Sequence, residues 1–269
     1  MKPRFSGKVA IVTGGVQGIG RAVVDLLTAE GAIVMVSDLD PAGSELPAAF
    51  AAKERTVAFV QGDMESEAFC SRIVEETVSK FGKVDCLVNN AYAFTAKALD
   101  AKLEHWRRAF DVGPIGFARM IQNVAPHMIA AGSGSIVNIA SIVAHVAVKD
   151  RWTYCMGKGA VLQLTRCSAL DLGRKGIRVN SVSPGWTWTR EVEKAAQVDG
   201  GGRAKWEPIW GEFHMLGRCA EPSEIAAPVA FLLSEEASFI TGTDLPVDAG
   251  YLAMGPEGMG NKTVTAGSN

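Results

Sequence analysis

The 269-residue sequence is short of several things, and each shortage excludes a class of protein. Cysteine is scarce: Cys70, Cys86, Cys155, Cys167 and Cys219 are an odd number with no C-x-x-C pair. A disulfide framework or a zinc site is therefore not expected, and a reducing, cytoplasmic compartment is. Basic charge is not in excess, since 27 Lys+Arg stand against 29 Asp+Glu, so the electrostatic footprint of a nucleic-acid binder is missing. Long apolar runs are missing too. Val9-Ala10-Ile11-Val12 is cut by Thr13-Gly14-Gly15, and the uncharged stretch from Met128 to Val148 is interrupted by Asn138 and His145. Neither a signal peptide nor a membrane span is expected.

What is present is a globular balance, 48% hydrophobic and 21% charged side chains, enough to bury a large core. Short β-branched runs near 8–13, 32–37, 56–60, 84–89, 135–140, 177–182 and 243–247 alternate with amphipathic runs near 18–30, 41–53, 65–81, 100–131, 153–174 and 222–234. That alternation predicts an α/β fold: a single Rossmann-type, doubly wound parallel sheet of about seven strands with helices on both faces. No repeat and no Pro/Gly/Ser linker divides it, so residues 1–251 are expected to form one domain. Two segments break the rhythm. Residues 186–216, rich in Trp and Gly, are placed to form a lid over a ligand at the carboxyl edge of the sheet. The polar, Gly-rich tail at 252–269 is expected to be poorly ordered unless a partner subunit holds it.

Thr13-Gly14-Gly15-Val16-Gln17-Gly18-Ile19-Gly20 joins the first strand to the first helix. Glycines there let the backbone turn tightly and approach a pyrophosphate, with free helix N–H groups facing the anion. The second strand ends at Asp38, 18 residues after Gly20, near the spacing at which an acid takes the ribose hydroxyls of NAD. Asp38 would repel a 2′-phosphate, and its neighbours Val16, Gln17 and Leu39 supply no cation for one. NAD is the expected cofactor.

Only three tyrosines occur, and one opens Tyr154-Cys155-Met156-Gly157-Lys158, where four-residue spacing sets a phenol and an ammonium on one helix face. A phenol near pKa 10 is a poor base at neutral pH, whereas a neighbouring cation favours phenolate and lets it take an alcohol proton. Ser141, closing the fifth strand at the same sheet edge, is placed to hold the substrate oxygen.

These residues resemble the classical short-chain dehydrogenases/reductases. The likeness spans about 7–251 and includes the glycine turn, Asp63 and Met64 after the third strand, Asn89-Asn90-Ala91 after the fourth, Ser141, Tyr154, Lys158, and Pro184-Gly185 with Thr187 and Thr189 after the sixth. It implies an NAD(P)-dependent oxidoreductase, a homo-oligomer with the tetramer favoured. Tyr154 would be the acid/base, Ser141 would polarise the substrate oxygen, and Lys158 would lower the tyrosine pKa and bind the nicotinamide ribose. Gly14, Gln17, Gly18, Ile19, Gly20, Asp38, Asp63, Met64, Asn90, Ala91 and residues 184–189 would hold the cofactor.

Two departures from the family pattern stand out. Tyr92 follows Asn89-Asn90-Ala91 where the family has glycine, and Gly113 stands where it has a catalytic asparagine. Pro114 is expected to break the helix at that point and leave the Gly113 carbonyl to hold a water on the path to Lys158. Trp186 and Trp188 are candidate substrate contacts, and Trp206 and Trp210 share a helical face. His145, Lys149, Arg151 and Arg190 lie near the predicted pocket mouth, where a basic rim is the plainer expectation and attraction of an anionic group the sharper one. The expected activity is hydride transfer between NAD and a secondary alcohol (sugar, polyol or cyclic alcohol). A 3-oxoacyl thioester reductase and a weakly catalytic NAD-binding scaffold are the alternatives.

Overall fold

A computed structural model of the chain describes residues 3–198, 200–255 and 258. Seven parallel strands form one sheet: β1 (Val9–Thr13), β2 (Ile33–Asp38), β3 (Val57–Gln61), β4 (Cys86–Asn89), β5 (Gly134–Ile139), β6 (Ile177–Pro184) and β7 (Asp244–Val247). Their spatial order is β3-β2-β1-β4-β5-β6-β7. The chain thus winds outward in one direction from β1 and returns to start again beside it at β4. At such a reversal the loops leaving the carboxyl ends of the strands diverge and open a crevice.

β1 is buried along its whole length, because helices cover both faces and its side chains alternate between two cores. Ala10 and Val12 join one core with Val23 and Leu27 of α1 (Gly18–Ala29) and Ile225 and Val229 of α9 (Pro222–Leu233). Ile11 joins the other with Phe69 and Ile73 of α3 (Glu67–Phe81), Met120 and Val124 of α5 (Pro114–Ala131), and Ala169 and Leu172 of α6 (Trp152–Gly173). A short 3₁₀ turn at Pro41–Glu45 leads into α2 (Leu46–Ala51), and α4 (Leu103–Val112) precedes α5.

Local chemistry sets the helix ends. Ser66 accepts the Phe69 N–H at the start of α3, which ends at Gly82 with φ 81°, a conformation open to glycine without a Cβ clash. Glu221 and Glu224 form a reciprocal cap on α9, as the run Glu221-Pro222-Ser223-Glu224 leads one to expect. The helical run at 100–131 is divided at Gly113 (φ −79°, ψ −114°), since Pro114 has no N–H to continue the ladder. The 186–216 segment holds α7 (Arg190–Val198) and α8 (Gly202–Gly211). The tail beyond Gly255, except Gly258, lies outside the described residues.

Candidate active site

The glycine turn is fixed by contacts that leave no room for side chains. A Cβ on Gly20 would lie 2.1 Å from the Gly14 carbonyl oxygen, and Gly14 and Gly18 have φ of 65° and 56°. Asn90, just beyond β4, donates from Nδ2 to the carbonyls of Thr13 (3.0 Å) and Gly14 (2.8 Å). The Thr13 hydroxyl accepts the N–H groups of Asn90 (3.0 Å) and Ala91 (3.1 Å). Asp38 accepts from Val16 N (3.1 Å) through one oxygen and from Asp40 N (3.1 Å) through the other. The turn, β2 and β4 are thereby tied together around the crevice.

That crevice is lined by Gly14, Gln17, Gly18, Ile19, Asp38, Asp63, Met64, Asn90, Ala91, Tyr154 and Thr189. Its chemistry suits a dinucleotide. No side chain caps the N-terminus of α1, whose N–H groups are therefore free for an anion. Gln17 Oε1 is buried without a partner, and such an atom is costly unless a ligand donor meets it.

Two cations also line this crevice: Arg108, which sequence reasoning passed over, and Arg190, expected at the pocket mouth. Arg108 grips Asp63 at 2.6 Å and also reaches Glu65. Arg190, at the start of α7, reaches Asp40 at 3.3 Å. A cation therefore does stand beside the loop after β2, 150 residues away in sequence, contrary to the expectation from Val16, Gln17 and Leu39. In the structure an acid already holds it.

At the chemical end, Ser141 follows β5 and caps the short turn Ile142–Ala144, while Tyr154 and Lys158 lie one turn apart on α6. A buried hydrogen-bond chain sets α6 against the sheet: Asn89 Nδ2 donates to Asn138 Oδ1 (2.9 Å), and Asn138 Nδ2 donates to the Thr165 hydroxyl (2.9 Å). Burial raises the Tyr154 pKa, while a hydrogen bond from Ser141 and the charge of Arg151 act to lower it. Lys158, expected to do the lowering, instead donates from Nζ to the Ile139 carbonyl (2.8 Å). Burial pulls its pKa down to about 7, because no acid compensates the desolvated ammonium.

Tyr92 and Gly113 turn out to belong together. A Cβ on Gly113 would lie 2.5 Å from Tyr92 Cε2, and one on Gly157 would lie 2.1 Å from the Tyr92 hydroxyl. The ring fills the space between the two glycines. Lys158 Nζ stands over its face, 4.0 Å from the centroid, and its edge meets Tyr154 at 5.4 Å. The expected break at Pro114 is present, but the Gly113 carbonyl accepts the Phe117 N–H at 2.9 Å. An aromatic ring, not a freed carbonyl, stands next to Lys158.

The lid is an aromatic stack on a histidine. Trp186 stacks on Trp210 (4.7 Å), and Trp206 stacks on the same ring (5.3 Å). His214, buried under Gly185, accepts the Trp186 N–H at Nε2 (3.2 Å) and faces the Trp210 carbonyl with Nδ1 (3.2 Å). Both bonds suit a neutral ring with its proton on Nδ1, and burial holds its pKa below the ordinary histidine value. Trp188 is almost fully buried in this stack, and its indole N–H donates to Glu193 (2.9 Å). It holds the lid together and does not line the crevice. Trp186 is the tryptophan nearer the chemistry, with Arg151 over its ring. Thr187 is buried beside Gly185, to whose carbonyl it donates (3.1 Å).

Among the described residues no group of three or more His, Cys, Asp or Glu side chains is placed to hold a metal ion. No described helix is long and apolar enough to cross a membrane.

Residues 14–252 match the sequence profile of a family described as enoyl-(acyl carrier protein) reductase. The chain is 39% identical to 2,5-dichloro-2,5-cyclohexadiene-1,4-diol dehydrogenase of Sphingobium indicum, over 93% of this chain and 99% of that one. It is 38% identical to L-fucose dehydrogenase of Mus musculus, over 92% and 89% of the two chains. The ligand-free structure of Thermoplasma acidophilum aldohexose dehydrogenase superimposes with a TM-score of 0.87 at 32% identity, over 95% of this chain and 98% of that one. Likeness at that identity over almost the whole length shows that the chain belongs to the short-chain dehydrogenase/reductase family, oxidoreductases that use NAD(P) and act on alcohols.

Proposed function

We propose that the protein is an NAD-dependent dehydrogenase of a secondary alcohol, with a sugar, polyol or cyclic alcohol as substrate class. The observation that carries this reading is the convergence of Ser141 and Tyr154 at the edge of a crevice whose other end presents Asp38 and a glycine cradle. NAD bound there supplies the hydride acceptor. Every other task falls to the chain. Ser141 and Tyr154 hold the alcohol oxygen, and Tyr154 Oη takes the hydroxyl proton as the carbon loses its hydride. The Ser141 hydroxyl favours the phenolate that this step requires, and Lys158, held by the Ile139 carbonyl, would bind the nicotinamide ribose. Asp38 would accept from the adenosine ribose hydroxyls, the free N–H groups of α1 would hold the pyrophosphate, and Asp63, oriented by Arg108, would contact the adenine. Pro184, Gly185, Thr187 and Thr189 would frame the nicotinamide end.

The relatives support the alcohol class: one is a cyclohexadienediol dehydrogenase and one a sugar dehydrogenase. A homo-oligomer, with the tetramer favoured, is supported by apolar surface left exposed at Ile115 on α5, Leu170 on α6 and Phe239 before β7. A reducing, cytoplasmic site is supported by five unpaired cysteines.

The test is NADH or NADPH formation at 340 nm across a panel of sugars, polyols and cyclic alcohols. NAD is expected to exceed NADP by at least about tenfold in kcat/KM, roughly 1.4 kcal/mol of discrimination. Equal use of the two would overturn the role of Asp38 and shift it to Arg190, freed from Asp40.

A further inference from the structure

Four cations were expected near the pocket mouth, and the structure separates one from the rest. His145 Nε2 lies 2.9 Å from Asp244 Oδ2 and 3.3 Å from the Ser183 hydroxyl. Lys149 is almost fully exposed beside Asp150, and Arg190 is held by Asp40. Arg151 alone of the four has no acid partner among the described residues.

Arg151 is also not a solvated rim residue. It is half-buried, with its guanidinium 5.7 Å from the centroid of Phe94 and 5.9 Å from that of Trp186. Phe94 in turn lies 4.8 Å from the Tyr154 ring. The backbone puts it there: Asp150 takes a left-handed φ of 60°, the chain turns into α6, and Arg151, the residue just before the helix, brings its charge to bear on Tyr154 three residues on. Phenol, Phe94, cation and Trp186 thus follow one another in a chain of contacts.

A guanidinium is only weakly hydrated, and its planar fork matches a carboxylate with two parallel hydrogen bonds. Aromatic flanks strip more water from it and leave its N–H edge to be satisfied. We propose that Arg151 anchors a substrate carboxylate, so that the preferred alcohol is a hydroxy acid whose apolar body lies on Phe94 and Trp186 while its hydroxyl meets Ser141 and Tyr154. The single ring of Phe94 between the guanidinium (5.7 Å) and the phenol ring (4.8 Å) favours a hydroxyl and a carboxylate separated by a short or cyclic carbon frame. This inference rests on the alcohol-dehydrogenase reading of the site and narrows its substrate.

Two measurements test it. The first compares 3-hydroxycyclohexanecarboxylate with its neutral methyl ester in NADH formation by the wild type, Arg151→Met and Arg151→Lys. The acid is expected to exceed the ester by at least about tenfold in kcat/KM. Arg151→Met should cut the acid-to-ester ratio of kcat/KM by at least about tenfold, chiefly through KM on the acid, on top of a kcat loss common to both substrates because the Arg151 charge no longer lowers the Tyr154 pKa, with Arg151→Lys recovering part of the ratio. Acid and ester of equal rank in the wild type, or a parallel loss of both in Arg151→Met, overturns the proposal.

The second measurement needs no turnover. Cyclohexanecarboxylate, which has no hydroxyl to oxidise, is titrated against the NAD-saturated protein by the fluorescence of the lid tryptophans. Binding at least about tenfold weaker in Arg151→Met is the expected result; equal affinity overturns the carboxylate anchor. If neither hydroxy compound yields NADH, the dehydrogenase reading is what fails, and this titration still decides the anchor.

Discussion

The glycine turn at 13–20 and the lid at 186–216 approach each other where a Cβ on Gly18 would lie 3.4 Å from Thr189, yet they are held in opposite ways. The turn is held by backbone: carbonyls of Thr13 and Gly14 meet Asn90, and Gly20 has no room for a methyl group. The lid is held by side chains, with three indoles stacked in series and one histidine bridging Trp186 to Trp210. A cofactor common to a whole family suits a cradle that tolerates no variation. A substrate that differs between relatives suits a cover whose shape depends on replaceable rings.

The largest effect is expected where the two regions meet. Tyr154→Phe keeps the ring against Tyr92 and Phe94 but removes the transferable proton. Turnover should fall at least about a hundredfold with NAD affinity retained, as steady-state kinetics and a cofactor titration will show. Near-normal turnover would move proton transfer to another group.

Next come substitutions that set cradle against lid. Gly20→Ala drives a methyl into a carbonyl oxygen that cannot step aside, so NAD affinity should drop by tens of fold, accompanied by a lower Tm. Trp206→Leu, at the outer end of the stack, should leave NAD affinity within about threefold and alter the alcohol preference instead. The reverse pattern would erase the contrast between the two regions.

A smaller effect is expected from Gly113→Asn. Its side chain must enter the space of the Tyr92 ring, with a destabilisation of about 1–3 kcal/mol of overpacking. Adding Tyr92→Gly should recover part of that loss, since the Ala109 carbonyl oxygen would stand equally close to a Cβ at 113, a coupling that a double-mutant cycle on thermal unfolding measures directly. Additive effects would show that the ring and the glycine are independent.

The smallest effect is a pH dependence confined to the lid. The folded pKa of His214 is lowered by burial, so as pH falls below about 6.5 the unfolded chain takes up a proton that the folded chain resists. Stability therefore drops with acidification. Tm should decline between pH 7 and pH 5, with a change in tryptophan emission, and His214→Asn should flatten this dependence. An identical decline in the variant would assign it to other groups.

The sheet and the cofactor turn were legible in the sequence because their signals are local. Two-residue and 3.6-residue periodicities mark elements, and a run of glycines between a strand and a helix marks an anion cradle. Tyr154 and Lys158 were legible for the same reason, lying four residues apart on one helix. Arg190 on Asp40, His214 beneath Trp186 and Tyr92 against Gly113 and Gly157 were not. Each joins segments remote in sequence, and nothing in either segment names its partner. Trp188 could be read two ways from sequence, because an indole in a lid packs or contacts ligand with the same local pattern; its burial and its bond to Glu193 are visible only in three dimensions.

The fit of Tyr92 between two glycines also constrains descent. While the ring is in place, positions 113 and 157 accept no Cβ without displacement, and at 113 the Ala109 carbonyl oxygen stands as close as the ring, so asparagine there asks both ring and backbone to move. Loss of the tyrosine alone would remove the ring on which Lys158 rests. A comparison that scores each column of a family separately finds two defects in this chain, one at 92 and one at 113. In the fold they are one packing arrangement, and lineages that carry it are expected to gain or lose its members together.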